Sequence, residues 1–327
     1  MTEFELIARY FTRASSKAAL GVGDDCALLQ PAPGMQLAVS CDMLVQGRHF
    51  FADVDPLTLG HKALAVNLSD LAACGAQPVA FTLALALPKA DHAWLELFSR
   101  GLFALAYAHG CELIGGDTTQ GPLNICITVF GHVPQGQALL RSGARVGDDI
   151  YVSGNLGDAH VALQALRGEL SLPPGVLAGA RQRLEMPTPR VALGIALRGV
   201  ASAAIDVSDG LLGDLSHVLQ ASGVGACVET PAASCLIAAK SNTSWSDSLL
   251  SYEEELRSTL EGGDDYELVF TAPVSASAAV SAAAHASQTL VTRIGTVERE
   301  RGLRLLDAHG QLMNNRFASF DHFKETP

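Results

Sequence analysis

The stretch Ala203-Ala-Ile-Asp-Val-Ser-Asp-Gly-Leu-Leu212 decides how this chain is read. Residues 203–207 form a short apolar run with the length of a strand, and from 211 to 222 apolar side chains recur at helical spacing. Ser208, Asp209 and Gly210 make the turn between them. A strand that feeds a helix through so tight a turn leaves Asp206 and Asp209 where chains bring functional groups to a cleft.

Working outward, acids recur at the same kind of place. Asp24 and Asp25 follow Gly21-Val-Gly23, Asp42 follows an apolar run, and Asp117 follows Gly115-Gly116. Asp264 and Asp265 follow Gly262-Gly263, and Asp70 lies inside an otherwise apolar helix. Any one of these has an ordinary use as an Asx turn or cap. Their recurrence points to shared chemistry. Two carboxylates 4 Å apart repel by about 1 kcal/mol in water and about 4 kcal/mol at an effective dielectric of 20. A fold accepts that crowding when cations neutralise it. Hard oxygen donors without His or Cys partners suit Mg²⁺, which keeps open positions for phosphate oxygens. The residues therefore suggest Mg²⁺–nucleotide phosphoryl transfer.

The coarse pattern is mixed. We expect a helix over residues 1–13 with Phe4, Ile7, Ala8 and Phe11 on one face, then a buried strand over 36–41 ending at Asp42. Asp55-Pro56 starts a helix that runs to about Cys74 and closes at Gly75. A strand at 79–87 and a helix capped by Asp91 and ending near Gly110 follow. Strands at 111–114 and 123–133 flank a Gly115-Gly-Asp-Thr-Thr119 loop. The polar, glycine-rich residues 134–149 mark a boundary, giving domains 1–137 and 138–327. The second half reads as strand 150–153, helices 158–167 and 191–198, the 203–222 unit, helix 253–260, strand 267–271 and helix 275–286. Residues 231–251, rich in Ser and Ala, read as an insertion or flexible loop, and 307–323 as a turn with an aromatic tail. Irregular mixing of strands and helices favours α+β over a doubly wound sheet.

Composition limits the function classes. The 327 residues hold 22 Lys+Arg against 34 Asp+Glu, a net charge of −12, with only five lysines, which argues against a nucleic-acid backbone as partner. At 48% hydrophobic and 17% charged, the chain can bury a sizeable core. The best apolar run, 79–87, is far short of the ~20 residues that span a bilayer. Glu3 and Glu5 stand where a signal peptide would be basic. Seven scattered cysteines without a C-x-x-C pair read as reduced packing thiols in a cytoplasm. There is no Gly-Lys dipeptide for a Walker A loop, no H-R-D or D-F-G set, and no third glycine after Gly21-Val-Gly23 for a dinucleotide fold. G-x-S-x-G and H-E-x-x-H are absent too.

Eight segments in order carry a family resemblance. They are Glu5-Leu-Ile-Ala-Arg-Tyr-Phe11, Gly21-Val-Gly-Asp-Asp-Cys-Ala-Leu28, Asn67-Leu-Ser-Asp70 with Gly75-Ala76, and Gly115-Gly-Asp-Thr-Thr119. Arg141-Ser-Gly-Ala144, Ile205-Asp-Val-Ser-Asp-Gly-Leu211, Gly262-Gly-Asp-Asp-Tyr-Glu-Leu268 and Phe320-Asp-His-Phe323 follow. Together they resemble the bacterial thiamine-monophosphate kinases, within the superfamily of aminoimidazole-ribonucleotide synthetase, over nearly the whole chain. The resemblance implies an N-terminal domain that dimerises through its sheet, a C-terminal α+β domain and a site between them. It implies ATP-dependent conversion of thiamine monophosphate to thiamine diphosphate, the last step of that synthesis. Asp25, Ser40, Cys41, Asp42, Asp70, Asp117 and Asp206 would hold several Mg²⁺ ions, with Asp209 at a further one. Gly116, Asp117, Arg141 and Ser208 would contact ATP; His49, Asp264 and Phe320 would contact the thiamine substrate. The sequence departs from the family pattern at Cys41, where Thr is expected, and at Asp264, where Glu is expected. A backbone-carbonyl ligand at 41 is indifferent to that change, whereas Asp264 reaches one methylene less far.

The chemistry and the residues agree on one absence. An ionised phosphate acceptor needs positioning and charge neutralisation more than a base, and neither a nucleophile nor a base dyad is evident. Two other readings stay open. One is a sister synthetase, selenophosphate synthetase or hydrogenase-maturation activity, against which stand the lack of a Cys before Cys26 and of a terminal Cys after Thr326. The other is a nucleotide-binding protein without turnover.

Overall fold

The computed structural model describes residues 2–22, 25–246, 249–314 and 317. The chain divides into two compact units, one of residues 1–71 and 76–138, the other of 72–75 and 139–327.

The first unit begins with α1 (Glu3–Leu6), which runs straight into a π-turn (Ile7–Phe11) closed by Thr12 N donating to Ile7 O at 2.9 Å. Wider spacing in that turn changes the expected face: Leu6, Tyr10 and Phe11 are the buried residues, while Ala8 is exposed. A small ribbon, β1 (Ala18–Leu20) and β2 (Leu28–Leu29), follows. Next come β3 (Met35–Val45), α2 (Pro56–Ala73), β4 (Gln77–Leu87), α3 (His92–Ala108), β5 (Glu112–Gln120) and β6 (Asn124–Pro134). The four long strands form a sheet in the order β3-β6-β4-β5, with β4 and β5 parallel and joined through α3. Both helices start as expected: Asp55 Oδ1 accepts from Leu57 N at 2.8 Å, and Asp91 Oδ1 accepts from Ala93 N at 3.1 Å. They also touch backbone to backbone. A Cβ on Gly101 would lie 1.9 Å from Leu57 O, so only glycine allows this crossing.

Two expectations fail here. β3 is not a buried strand ending at Asp42; it lies at a sheet edge and continues to Val45, with Leu37, Val39 and Met43 exposed on one face. Nor is Gly115-Gly-Asp-Thr-Thr119 a loop. It is the second half of β5, paired with Thr82 to Ala86 of β4 after a register shift at Phe81/Thr82. Glycine pairs read as breakers in a sequence, but parallel pairing beside β4 supplies the hydrogen bonds that local propensity lacks.

The second unit contains β7 (Asp148–Ser153), α4 (Asp158–Leu166), α5 (Pro174–Glu185), α6 (Val191–Ala196), β8 (Ala203–Val207) and α7 (Leu211–Ser222). It continues with β9 (Gly225–Glu229), α8 (Thr230–Ser234), α9 (Tyr252–Leu260), β10 (Glu267–Pro273), α10 (Ser277–Ala286), β11 (Val291–Glu298) and β12 (Gly302–Leu306). The sheet order is β12-β9-β11-β7-β10-β8, antiparallel except for β12 with β9. Ile150, Val152, Ile205, Leu215 and Val269 centre the core. Residues 231–251 are not a loose insertion where described: Leu236, Ile237, Ala239 and Leu250 are buried. Their small side chains hide the periodicity, but they fill the space against α4 and α5. The strands β9, β11 and β12 and helix α5 had no clear sequence signal. Cys26, Cys41 and Cys235 are exposed, so the expectation of packing thiols fails for these three. Among the described residues no helix is long and apolar enough to cross a membrane.

Candidate active site

In the first unit the strands deliver acids to two places. On β3, side chains alternate between faces. Ser40 donates from Oγ to Asp70 Oδ2 on α2 at 2.5 Å. The main-chain N–H of Asp42 donates to Asn67 Oδ1 at 3.0 Å, and buried Asn67 is held in turn through Nδ2 to Ala63 O. Asp70 is half-buried rather than enclosed, and a neutral hydroxyl meets its carboxylate. Cys41 falls on the opposite face from Ser40, and its thiol sits 3.4 Å from Cys126 Sγ. Substituting Thr by Cys at 41 therefore changes nothing beside Asp70. His49, just past β3, accepts on Nδ1 from Val45 N at 3.0 Å, which leaves the ring proton of neutral imidazole on Nε2.

The second place is a cavity of about 750 Å³ that the far edge of the same sheet shares with α1 and the π-turn. Asp25, Gly116 and Asp117 line it together with Ile7, Phe11 and Leu83. Gly116 has φ +144, and a Cβ there would lie 1.9 Å from Leu83 O. The bare backbone thus sits flush against β4 beside an exposed Asp117. Asp42 pairs across the sheet with Ile127, Ile127 with Leu83, and Leu83 with Gly116. That row spans three strand spacings, so Asp42 and Gly116 stand roughly 14 Å apart. The structure groups Asp25 with Asp117 and Ser40 with Asp70, and keeps Asp42 away from Asp117.

In the second unit the turn after β8 packs on the loop before β10. Asp264 N donates to Ser208 O at 2.9 Å and Tyr266 N to Val207 O at 2.8 Å. Asp264 and Tyr266 take positive φ, 67° and 51°, and Tyr266 donates its hydroxyl to Asp264 Oδ1 at 3.3 Å. Non-glycine residues held in that region cost of order 1–3 kcal/mol each and concentrate at functional sites. Asp206 is buried on β8, while Ser208 and Asp209 are half-exposed. Arg141 is exposed on a loop pinned to α7, where Ser222 Oγ accepts from Gly143 N and Ala144 N, both at 3.1 Å. Phe320 lies outside the described residues.

Sequence reasoning missed two groups here. Asp214, on the first turns of α7, accepts on Oδ2 from Ser208 N at 3.0 Å and Asp209 N at 3.1 Å, fixing the turn. Burial pushes its carboxyl up to about 7; the Asp209 charge adds to this, while the two amides and the Arg141 charge oppose it. An acid four residues past Gly210, facing back over the turn, was the available signal. Glu267, in the Gly262-to-Leu268 segment, is fully buried and accepts from Ser153 Oγ, Arg183 Nη2 and both Nε and Nη2 of Arg190 at 2.6–2.7 Å. Neighbouring Asp265, also buried, accepts from Gly157 N and is held well above the usual carboxylate range by burial. These two acids brace the loop that carries Asp264.

No group of three or more His, Cys, Asp or Glu placed to hold a metal occurs among the described residues. The donors are paired hard oxygens. That set fits an ion that keeps much of its water and takes one or two carboxylates plus phosphate oxygens.

The family model for AIR synthase related protein, N-terminal domain, matches residues 23–133, and that for the C-terminal domain matches residues 145–307. The chain is 45% identical to thiamine-monophosphate kinase of Salmonella typhimurium, covering 98% of each chain. It is similar to the crystal structure of thiamine-monophosphate kinase from Stenotrophomonas maltophilia, with TM-score 0.81, 44% identity and coverage of 92% and 94%. It is also similar to AaThiL complexed with AMPPCP and TMP, with TM-score 0.74, 28% identity and coverage of 90% and 89%.

Proposed function

The chain belongs to the thiamine-monophosphate kinase family, with the two-domain AIR synthase-like fold, and from its own residues we propose how it transfers phosphate from ATP to thiamine monophosphate. The observation that carries this reading is the cavity in which Asp25 and Asp117 stand beside the side-chain-free backbone of Gly116. A nucleotide's phosphate chain needs close backbone approach and cations; a glycine that admits no Cβ and two flanking carboxylates supply the places for both.

Mg²⁺ bound with the nucleotide would supply positive charge to neutralise the phosphates. Several ions would be held by Asp25, Ser40, Asp42, Asp70 and Asp117 of the first unit and by Asp206 and Asp209 of the second. Cys41 would take part only through its main chain, since its thiol faces Cys126. Gly116 and Asp117 would bind ATP, as would Ser208 and Arg141, whose guanidinium fork suits a phosphate. His49, with its ring fixed by Val45 N on Nδ1, would contact the thiamine substrate. Asp264, its backbone fixed by Ser208, and Phe320 would contact the thiamine end. The acceptor is already an ionised phosphate oxygen, so positioning and charge neutralisation suffice and the chain needs no general base.

We also propose a cytoplasmic homodimer. Met35, Leu37, Val39 and Met43 expose an apolar stripe on an edge strand, the kind of surface a partner covers. All seven cysteines are free thiols, as a reducing compartment requires.

The test is a ³¹P NMR time course with Mg-ATP and thiamine monophosphate. Thiamine diphosphate should appear with equimolar ADP, and Asp117→Asn should stop it without lowering Tm. ADP with free phosphate but no thiamine diphosphate would overturn the acceptor; full turnover in Asp117→Asn would overturn the site.

A further inference from the structure

On the outer side of α1 and the π-turn lies a second hollow, of about 550 Å³, bounded by α3. Arg9 and Arg13 enter it from the turn, and Arg100 from α3. All three are exposed and make no ion pair with a carboxylate among the described residues, in a chain of net charge −12. Two of the guanidiniums are oriented by rings: Arg13 lies 4.3 Å over Phe103 and Arg9 lies 5.4 Å over Tyr10. A guanidinium stacked by its face keeps its N–H edge for polar partners; Arg13 uses Nη1 on Thr12 O at 2.8 Å and has its remaining N–H donors for a planar or tetrahedral anion. The wall is fixed, because Tyr10 shares a 2.8 Å hydrogen bond with His92 Nδ1. Beside the arginines, the 67%-exposed Tyr107 offers a ring face to the same hollow. Among the described residues Glu96 is the one carboxylate lining it, one turn before Arg100.

We propose that this hollow is a binding site for a small phosphorylated compound with a planar ring, the phosphate on Arg9, Arg13 and Arg100 and the ring against Tyr107. It is separate from the site of Asp25 and Asp117 and does not rest on the kinase reading. The two are nonetheless linked by one segment: Ile7 and Phe11 line the acidic cavity while Arg9 and Tyr10 line this one. A ligand that holds the π-turn against α3 also holds the wall of the acidic cavity.

The test uses 4-methylumbelliferyl phosphate as probe, fluorescence anisotropy as readout, and full-length protein in EDTA without ATP. Saturable binding is expected, competed by inorganic phosphate and absent for unphosphorylated 4-methylumbelliferone. Arg13→Ala and Arg100→Ala, both exposed and checked for unchanged Tm, should each weaken it about tenfold, the scale of one charge-assisted contact. Asp117→Asn should bind as wild type does. Absence of saturation, unchanged binding in both arginine variants, or loss in Asp117→Asn would each overturn the proposal.

Discussion

Replacing Glu267 by Gln removes one charge from a buried cluster without removing its volume. The carboxylate is fully buried and accepts four hydrogen bonds, three from Arg183 and Arg190, whose side chains are 20% and 17% exposed. With its oxygen at the Oε1 position the amide still accepts from Arg183 Nη2 and Arg190 Nη2, but its NH2 group then meets Arg190 Nε and Ser153 Oγ, and neither buried guanidinium keeps the Glu267 charge. Breaking a buried pair from one side costs about 3–5 kcal/mol. The second unit has roughly 190 residues, so its unfolding entropy near 60 °C is ~0.4 kcal/mol/K and Tm should fall by ~7–12 °C. Urea unfolding followed by circular dichroism gives the free energy directly, and kcat measured well below the transition should stay near wild type. A loss under ~1 kcal/mol would refute the buried-cluster argument. Intact stability with a collapsed kcat would mean that Glu267 touches substrate rather than bracing the loop of Asp264.

Three other outcomes can be measured. Gly116→Ala places a Cβ 1.9 Å from Leu83 O, so β5 must shift; a displacement near 1 Å costs on the order of 100-fold in turnover, and wild-type steady-state rates would contradict it. Asp214 has its pKa raised to about 7 from an ordinary 3.8, so the folded state holds a proton that the unfolded chain releases. Its contribution is present below pH ~4 and lost as pH rises through ~7, so wild type should lose about 3 kcal/mol relative to Asp214→Asn between pH 5 and 8 in EDTA; parallel urea-titration profiles would dismiss this. Val39→Lys on the exposed stripe of β3 should lower the sedimentation coefficient if the proposed homodimer forms through that strand, and an unchanged coefficient would refute an edge-strand dimer.

Much of the fold was legible where local rules act alone. β8 and α7 were readable to the residue because Gly210 and Gly223 bracket a clean helical period. Asp55-Pro56 and Asp91 announced α2 and α3 through caps. Reading failed where pairing overrode propensity. Gly115-Gly116 became strand because β4 lies alongside, and β3 ran beyond Asp42 because β6 pairs with it as far as Val45. Weakly patterned β9, β11 and β12 exist through mutual pairing that no short window contains. The candidate acids were legible one by one. Their grouping was not, since strand order separates Asp42 from Asp117, and the loop between β1 and β2 brings Asp25 to the cavity that Asp117 lines.

Strand order in the second unit also sets a timetable. β7 is the first strand of that unit to be synthesised, all six of its residues are buried, and its neighbours in the sheet are β10 and β11. Those partners begin at Glu267 and Val291, more than a hundred residues downstream. A nascent chain that has reached residue 260 therefore carries its future central strand with both edges open. Such long-range closure is slow, and unpaired apolar strands associate with other chains. Premature termination before β10 should yield insoluble fragments rather than a smaller folded domain, and holdase chaperones have their natural substrate in that interval.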